Sequence, residues 1–439
     1  MIFHLAKMNV IKVASNRRYK KAEVILSLGK NLNPVRFLIK NLDKYEVIST
    51  IGDPNVFSNI NIKIENIHYE EALSRLKNNH NLKIISFKQG SDLQKEINEI
   101  RQQKINIPLQ YITSELEQGN CVTNFNNLIE TFNLNEIEKI FNYFRSQGKK
   151  ICIINGNCQT IHLTTLLSSN QTFQRLYQII DIPRICTATA ADIPAIEEIL
   201  KLADLIITQP IKQTNKFTET LSTEHIKQIK NNNSTLVLIP NLTFMGYFPQ
   251  AKLFETDSQP LKVGDKALFT YHDTIIEYFF EQGFDRDSIY SKIMDPFLLD
   301  REFVIEYMKE QLEIFKDREK DVDIKMIDEL ERRVFTEVIF HSFNHPKISL
   351  IKSLAQKILK YLDIQDLNVK SPETDESLPF QSQPVYPAVF RALNINPNLE
   401  SKFYINKLAW SDTFSFRGYI EMYFNALLLN RKKIHYEAN

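Results

Sequence analysis

Cys158 is the sharpest chemical feature of this 439-residue chain. It stands in Gly156-Asn157-Cys158-Gln159, between the apolar run KKICIIN and the helical pattern IHLTTLLSS. A strand that turns tightly into a helix exposes such a side chain at the strand's carboxyl end, beside the helix's first free N–H groups. Those amides, at Cys158 and Gln159, can hold a developing oxyanion, and the helix dipole is expected to lower the thiol pKa. The alternative is a buried structural cysteine. Gly119-Asn120-Cys121, which no strand precedes, shows how little three residues specify.

Two amides end neighbouring apolar runs. Gln209-Pro210 closes DLIITQPI, and Pro240-Asn241 closes STLVLIP just ahead of Leu242-Thr243-Phe244-Met245-Gly246-Tyr247-Phe248-Pro249. In an open parallel sheet, ligands collect outside the carboxyl ends of the strands. An amide aimed there can bind a carbonyl or a sugar hydroxyl, or can simply tie down its own loop. Tyr271-His272-Asp273 and His341-Ser342-Phe343-Asn344-His345-Pro346 add the ionisable and polar groups of a transfer site. Pro346 opens an amphipathic pattern, so His345 is predicted near a helix N-cap, where it completes a Cys–His pair if it reaches Cys158. Otherwise it is a packing residue. His341 and His345 share the i,i+4 spacing of a zinc pair, but HSFNH lacks the Glu of HExxH and Pro346 breaks the helix. No metal is expected, and Cys121, Cys152, Cys158 and Cys186 show no CxxC spacing.

Bringing these groups to one edge takes a parallel sheet, and the chain has the pattern for two α/β units. AEVILSL, YEVISTI, LKIISFK and INIPLQYIT read as strands alternating with the helical patterns NPVRFLIKNL, YEEALSRLKNN and SDLQKEINEIRQQ. They predict a small Rossmann-like domain within residues 1–120. Over 121–148, NLIETFNLNEIEKIFNYFRSQ predicts a connecting helix that Gly148 ends. A catalytic domain over 149–370 follows, with strands in KKICIIN, YQIIDIPRI, DLIITQPI and STLVLIP. Between them lie the helices ADIPAIEEILKLA, with Asp192 as cap, and TEHIKQIKNN. From Asp265 the pattern is mostly helical, including REFVIEYMKEQLEIFKDREK and HPKISLIKSLAQKILKYL; residues 371–439 are expected to pack on the catalytic domain, with Ser371–Ser382 as a surface loop.

Composition removes whole classes of function. Of only 10 glycines no two sit two apart, which excludes GxGxxG, and none forms the GxxxxGK phosphate loop. Lys+Arg 54 against Asp+Glu 53 leaves a net charge of +1, so no global field favours nucleic acid or an anionic membrane. No stretch is long and apolar enough to span a membrane, and the N-terminus lacks an apolar signal core. A cytoplasmic location is the expectation, with a peripheral place at the inner membrane face left open.

The order GNCQ, ITQPI, PNLTFMGYFP, YHD, FNHP resembles the WcbI family of polysaccharide biosynthesis enzymes, over roughly 149–350 and on into LPFQSQPVYPAVFRALNI. Residues 1–147 lie outside the resemblance. It implies a three-layer α/β/α domain similar to SGNH/GDSL hydrolases, with a helical C-terminal extension. It also implies coenzyme A or acetyl-CoA as a substrate, a sugar or glycan acceptor, and a role as an O-acetyltransferase of capsular or surface polysaccharide. Other proteins of that biosynthesis are implied as partners. Cys158 takes the place of the catalytic serine and His345 that of the catalytic histidine; either Cys158 takes the acetyl group as a thioester and passes it on, or His345 or His272 deprotonates the sugar hydroxyl for direct attack. Where the SGNH pattern has Asp, three residues before that histidine, this chain has Ser342. The orienting acid is therefore unassigned, and Asp273 beside His272 is the candidate substitute. Gly156, Asn157, Gln159, Gln209, Asn241 and Tyr247 are the residues expected to bind the cofactor. Without a glycine loop, its phosphates would be held by helix N-termini and side chains. An SGNH-like esterase or deacetylase, or a non-catalytic coenzyme A or glycan-binding module, are the rival readings.

Overall fold

The computed structural model describes residues 22–27, 45–51, 65–66, 83–86, 111–113, 122–124, 134–212, 221–253, 261–263, 266–269, 271–371, 382–397 and 414–437. The chain divides into two compact units, Met1–Tyr143 and Phe144–Asn439. The first contains β1 (Ala22–Ser27), β2 (Tyr45–Ile51), β3 (Glu65–Asn66), β4 (Lys83–Ser86), β5 (Tyr111–Thr113) and β6 (Val122–Asn124). Strands β1 to β5 form a parallel sheet in the order β3-β2-β1-β4-β5. The chain steps outward from β1 on one side, then returns to build the other, which is the Rossmann order the alternating pattern predicts. The two-residue β3 is too short to leave a sequence signal. The predicted helices of this unit and the Gly119-Asn120-Cys121 tripeptide lie outside the described residues.

Helix α1 (Leu134–Ser146) covers the later part of the predicted connecting helix. It ends at Gly148, whose φ of 78° is the left-handed conformation that glycine enters without a Cβ penalty. The second unit then alternates β7 (Lys150–Asn155), α2 (Gln159–Ser169), α3 (Gln171–Leu176), β8 (Tyr177–Asp181), α4 (Ile193–Leu202), β9 (Leu205–Thr208), α5 (Thr223–Ile229) and β10 (Thr235–Leu238). Parallel pairing sets the order β10-β9-β7-β8. Ile151, Cys152, Ile153, Ile179, Ile180, Ile206 and Ile207 are fully buried, as expected of strands covered on both faces. Because β8 lies on one side of β7 and β9 on the other, the carboxyl end of β7 is a topological switch point, where loops diverge and leave a crevice. Arg145 at the end of α1 pairs with Asp204, whose carboxylate also accepts from Ile151 N at 2.7 Å, so one acid aligns the starts of β7 and β9.

The remainder is β11 (Ala251–Leu253), β12 (Leu261–Val263), β13 (Lys266–Phe269), β14 (Tyr271–Asp273), α6 (Thr274–Glu281), α7 (Arg286–Met294), α8 (Arg301–Arg318), α9 (Ile327–Arg333), β15 (Phe340–Ser342), β16 (His345–Pro346), α10 (Ile348–Tyr361), α11 (Pro387–Leu393) and α12 (Phe416–Glu437). The amphipathic α10 packs on α2, the helix that follows the Cys158 turn. Three local expectations change. Asp192 precedes α4, but its carboxylate reaches back to Thr189 N and Oγ1 at 2.8 and 2.7 Å and does not cap the helix. His345 is not at an N-cap. The residue before proline is driven from the α region, so His345-Pro346 is extended and pairs with β15, and Lys347 takes the N-cap position of α10 without a side-chain cap. Residues 372–381 of the predicted surface loop lie outside the described residues, and Ser382 at its end is buried.

Candidate active site

Cys158 closes the turn at the switch point and is the residue before α2, with φ −56° and ψ −22°. The turn is tight because Gly156 has no side chain: a Cβ there would stand 2.5 Å from Gln209 Oε1 and 2.8 Å from Thr160 Cγ2. Asn157 folds over the first turn of α2, its Oδ1 accepting from Gln159 N at 3.0 Å. Asn157 N donates to Gln209 Oε1 at 2.9 Å, and Gln209 N donates to Asn155 O at 3.1 Å. The ends of β7 and β9 are thereby stitched together.

Gln159 is buried and joins three loops of the site, those of Gln209, Leu242 and Asn344. Its Nε2 donates to Leu242 O and Asn344 O, both at 2.9 Å, while its Oε1 accepts from Gln209 Nε2 at 3.0 Å and Leu242 N at 3.1 Å. All four hydrogen-bonding positions of the carboxamide are filled from within the protein. The Asn344 contact draws the β15–β16 hairpin to the nucleophile turn, and His345 Nε2 comes to 3.8 Å from Cys158 Sγ. His345 Nδ1 meets Ser342 Oγ at 2.7 Å. Ser342 Oγ donates to Asn344 Oδ1 at 3.0 Å, and that oxygen also accepts from Tyr271 OH at 2.8 Å.

Electrostatically the pair rests uncharged. Burial pushes the Cys158 thiol above its ordinary value, reinforced by Cys186; the N–H groups of Cys158 and Gln159 and the Arg184 guanidinium pull the other way without prevailing. The lowering expected from the helix terminus is present, but desolvation of the thiolate outweighs it. Burial, aided by His341 and His162, holds His345 down at about 4, so its imidazole is neutral at pH 7.

The other predicted positions divide. Asn157 and Asn241 meet at the surface beyond the carboxyl ends of β7 and β10, Asn157 Nδ2 donating to Asn241 Oδ1 at 3.1 Å, with Thr243 Oγ1 donating to the same oxygen at 3.0 Å. Tyr247 is fully buried and its hydroxyl donates to Glu337 O at 2.7 Å, which is the setting of a core residue. His272 pairs with Glu277, which also accepts from Tyr423 OH at 2.7 Å. Asp273 caps α6 through Ile276 N at 3.2 Å and accepts Tyr386 OH at 2.8 and 2.9 Å. His345 and Cys158 are thus brought together, while the acid beside His272 is bound to Tyr386 and the first turn of α6. The YHD block reaches His345 through Tyr271 instead. Tyr271, Ser342 and Asn344 have no individual role in the sequence reading; their signals are the polar YHD and HSFNHP blocks that hold them and a serine where the hydrolase pattern has an acid.

A model of the family described as polysaccharide biosynthesis enzyme WcbI matches residues 151–367. No curated protein matches the chain. A solved structure of WcbI, described as a novel polysaccharide biosynthesis enzyme and as the native protein without a disulfide bond between coenzyme A and one of its cysteines, is similar in fold. Its TM-score is 0.53 and its identity 17%, covering 63% of this chain and 89% of that one. Among the described residues no group of three or more His, Cys, Asp or Glu is placed to hold a metal ion.

Proposed function

Through residues 151–367 the chain belongs to the WcbI family of polysaccharide biosynthesis enzymes, and on that footing we propose that it is an acetyltransferase moving an acetyl group from acetyl-CoA to a sugar hydroxyl of a surface polysaccharide. The observation that carries this is Cys158 Sγ facing His345 Nε2 at 3.8 Å at the switch point of the sheet. His345 Nε2 faces the Cys158 sulfur while its Nδ1 meets the buried Ser342 hydroxyl, which supports the thiol as the nucleophile. That the similar WcbI structure is of the protein without a disulfide bond between coenzyme A and one of its cysteines supports coenzyme A as the acyl carrier.

In the first half-reaction the Cys158 S–H proton moves to His345 Nε2 as Sγ attacks the thioester carbonyl carbon. The carbonyl oxygen becomes an oxyanion facing the Cys158 N–H. Gln159 N–H joins it once the Asn157 carboxamide turns away. Collapse breaks the bond to the coenzyme A sulfur, which leaves with the proton held by His345. Thioester is exchanged for thioester, a nearly isoenergetic step. In the second half-reaction the sugar hydroxyl gives its proton to His345 and its oxygen attacks the acetyl carbon. The C–Sγ bond breaks, sulfur takes the proton back, and the acetylated sugar leaves.

The test is release of free coenzyme A from acetyl-CoA that depends on a nucleotide-sugar or glycan acceptor. Loss of that release in both Cys158→Ala and His345→Ala is the expected result; full turnover in both sinks the assignment. Hydrolysis of an aryl acetate without coenzyme A would point to an esterase on the same scaffold.

A further inference from the structure

We infer that Ser342, Asn344 and Tyr271 form a positioning relay that keeps the proton of His345 on Nδ1, taking over the role a carboxylate plays in a catalytic triad. This rests on the reading of Cys158 and His345 as the reacting pair. Three elements contribute: Tyr271 from β14, Ser342 from the end of β15, and Asn344 from the turn before β16.

The assignment follows from counting donors and acceptors. Tyr271 OH and Ser342 Oγ both donate to Asn344 Oδ1, at 2.8 and 3.0 Å, filling its two lone pairs. Ser342 has then given its one proton and offers only lone pairs to His345 Nδ1 at 2.7 Å. Nδ1 must therefore carry hydrogen. A neutral imidazole carries one N–H, so Nε2 presents its lone pair to Cys158 Sγ. Ser342 is fully buried and His345 nearly so, which leaves little room for water to substitute. Asn344 is itself anchored, its backbone oxygen accepting from Gln159 Nε2 at 2.9 Å, so the relay and the nucleophile turn share one support.

No carboxylate among the described residues hydrogen-bonds to His345. The titratable groups that bear on it are His341 of its own hairpin, His162 of α2 and the Cys158 thiol; Cys186 and Arg184 bear on that thiol in turn. A hydroxyl fixes a tautomer but does not compensate the charge of an imidazolium as a carboxylate does. The relay therefore makes His345 a base that takes the thiol proton as the new bond to sulfur forms, rather than a standing partner of a thiolate.

Two readouts on the full-length protein test this, and neither needs acetyl-CoA or an acceptor, so failure of acetyl transfer would not be mistaken for failure of the relay. One is the ring tautomer of His345 at neutral pH by nitrogen NMR of labelled histidine. The other is the rate of Cys158 alkylation by iodoacetamide from mildly acidic to alkaline pH, read by peptide mass. The relay predicts a neutral Nδ1–H ring in the wild type. Ser342→Ala should shift the proton toward Nε2 and slow alkylation at neutral pH by about tenfold. Ser342→Asp should act in the opposite sense, speeding alkylation at mildly acidic pH, an effect that loss of a merely structural serine does not give. Should Ser342→Asp fail to fold, Asn344→Ala, which removes the acceptor of the Ser342 proton and keeps the backbone oxygen that Gln159 holds, is expected to let Ser342 donate to Nδ1 and so admit the Nε2–H tautomer. An Nε2–H ring in the wild type, or unchanged tautomer and alkylation rate in the folded variants, would overturn the relay.

Discussion

Gln159 is the residue on which the site's geometry depends most. Replacing it with alanine leaves Leu242 N, Leu242 O, Asn344 O and Gln209 Nε2 without their partner in the interior. Each buried polar group so orphaned costs about 1–3 kcal/mol. Gln159→Ala is expected to lower unfolding stability by about 3 kcal/mol or more in a urea titration, and to uncouple the Cys158 turn from the His345 hairpin. His345 makes a second prediction at this scale. Its folded pKa of about 4 lies below the ordinary histidine value of 6.5, so below 6.5 the unfolded chain takes up a proton that the folded protein refuses. The stability that this group contributes is present above pH 6.5 and lost as pH falls toward 4. The full loss is about 3 kcal/mol. His345→Gln should remove that part of the pH slope, measured as the difference in unfolding free energy between variant and wild type. Individual roles were only partly legible in the sequence. Cys158 and His345 stand out by residue type, whereas Gln159 and Gln209 look free to bind a ligand until their partners are known. Those partners come from loops 50 to 185 residues away, and local pattern carries no record of them.

At the scale of elements, β14 and α6 form a second ionisable centre away from the thiol. Asp273 is fully enclosed, and burial, resisted by Tyr386 OH and the Ile276 N–H, pushes its carboxyl up to about 7. Here the sign is the reverse of that for His345. The unfolded carboxyl ionises near pH 4 while the folded one keeps its proton, so the stability this group contributes is present at low pH and lost as pH rises toward 7. Asp273→Asn retains an oxygen for Tyr386 and for the α6 cap, and should gain on the wild type progressively between about pH 4 and 7. A difference that is flat across this range, read by thermal unfolding, would contradict the buried acid. Long elements were readable: KICIIN, YQIID, LIIT and TLVL are apolar enough to announce buried parallel strands, and Gly148 marks the end of α1. The two-residue β16 was not, because its extended shape comes from Pro346 and from pairing with β15, and a following helical pattern disguises it.

For the whole molecule, every residue of the proposed chemistry falls in the second unit, Phe144–Asn439, and the family match lies within it. A fragment of residues 121–439, which retains α1 intact, is expected to unfold cooperatively and to keep the reactivity of Cys158. Loss of both would make residues 1–120 part of the catalytic fold. Among the described residues no helix is long and apolar enough to cross a membrane, and the balanced charge of +1 offers no broad anionic docking field. The central claim, that Cys158 carries the acyl group with His345 as its base, has one direct measurement. The full-length protein is incubated with acetyl-CoA without acceptor, quenched in acid, digested and mapped by mass. A single acetyl group on the peptide bearing Cys158, discharged by adding the glycan acceptor and strongly reduced in His345→Ala, is the predicted result. Turnover of acceptor while that peptide never carries acetyl would contradict it.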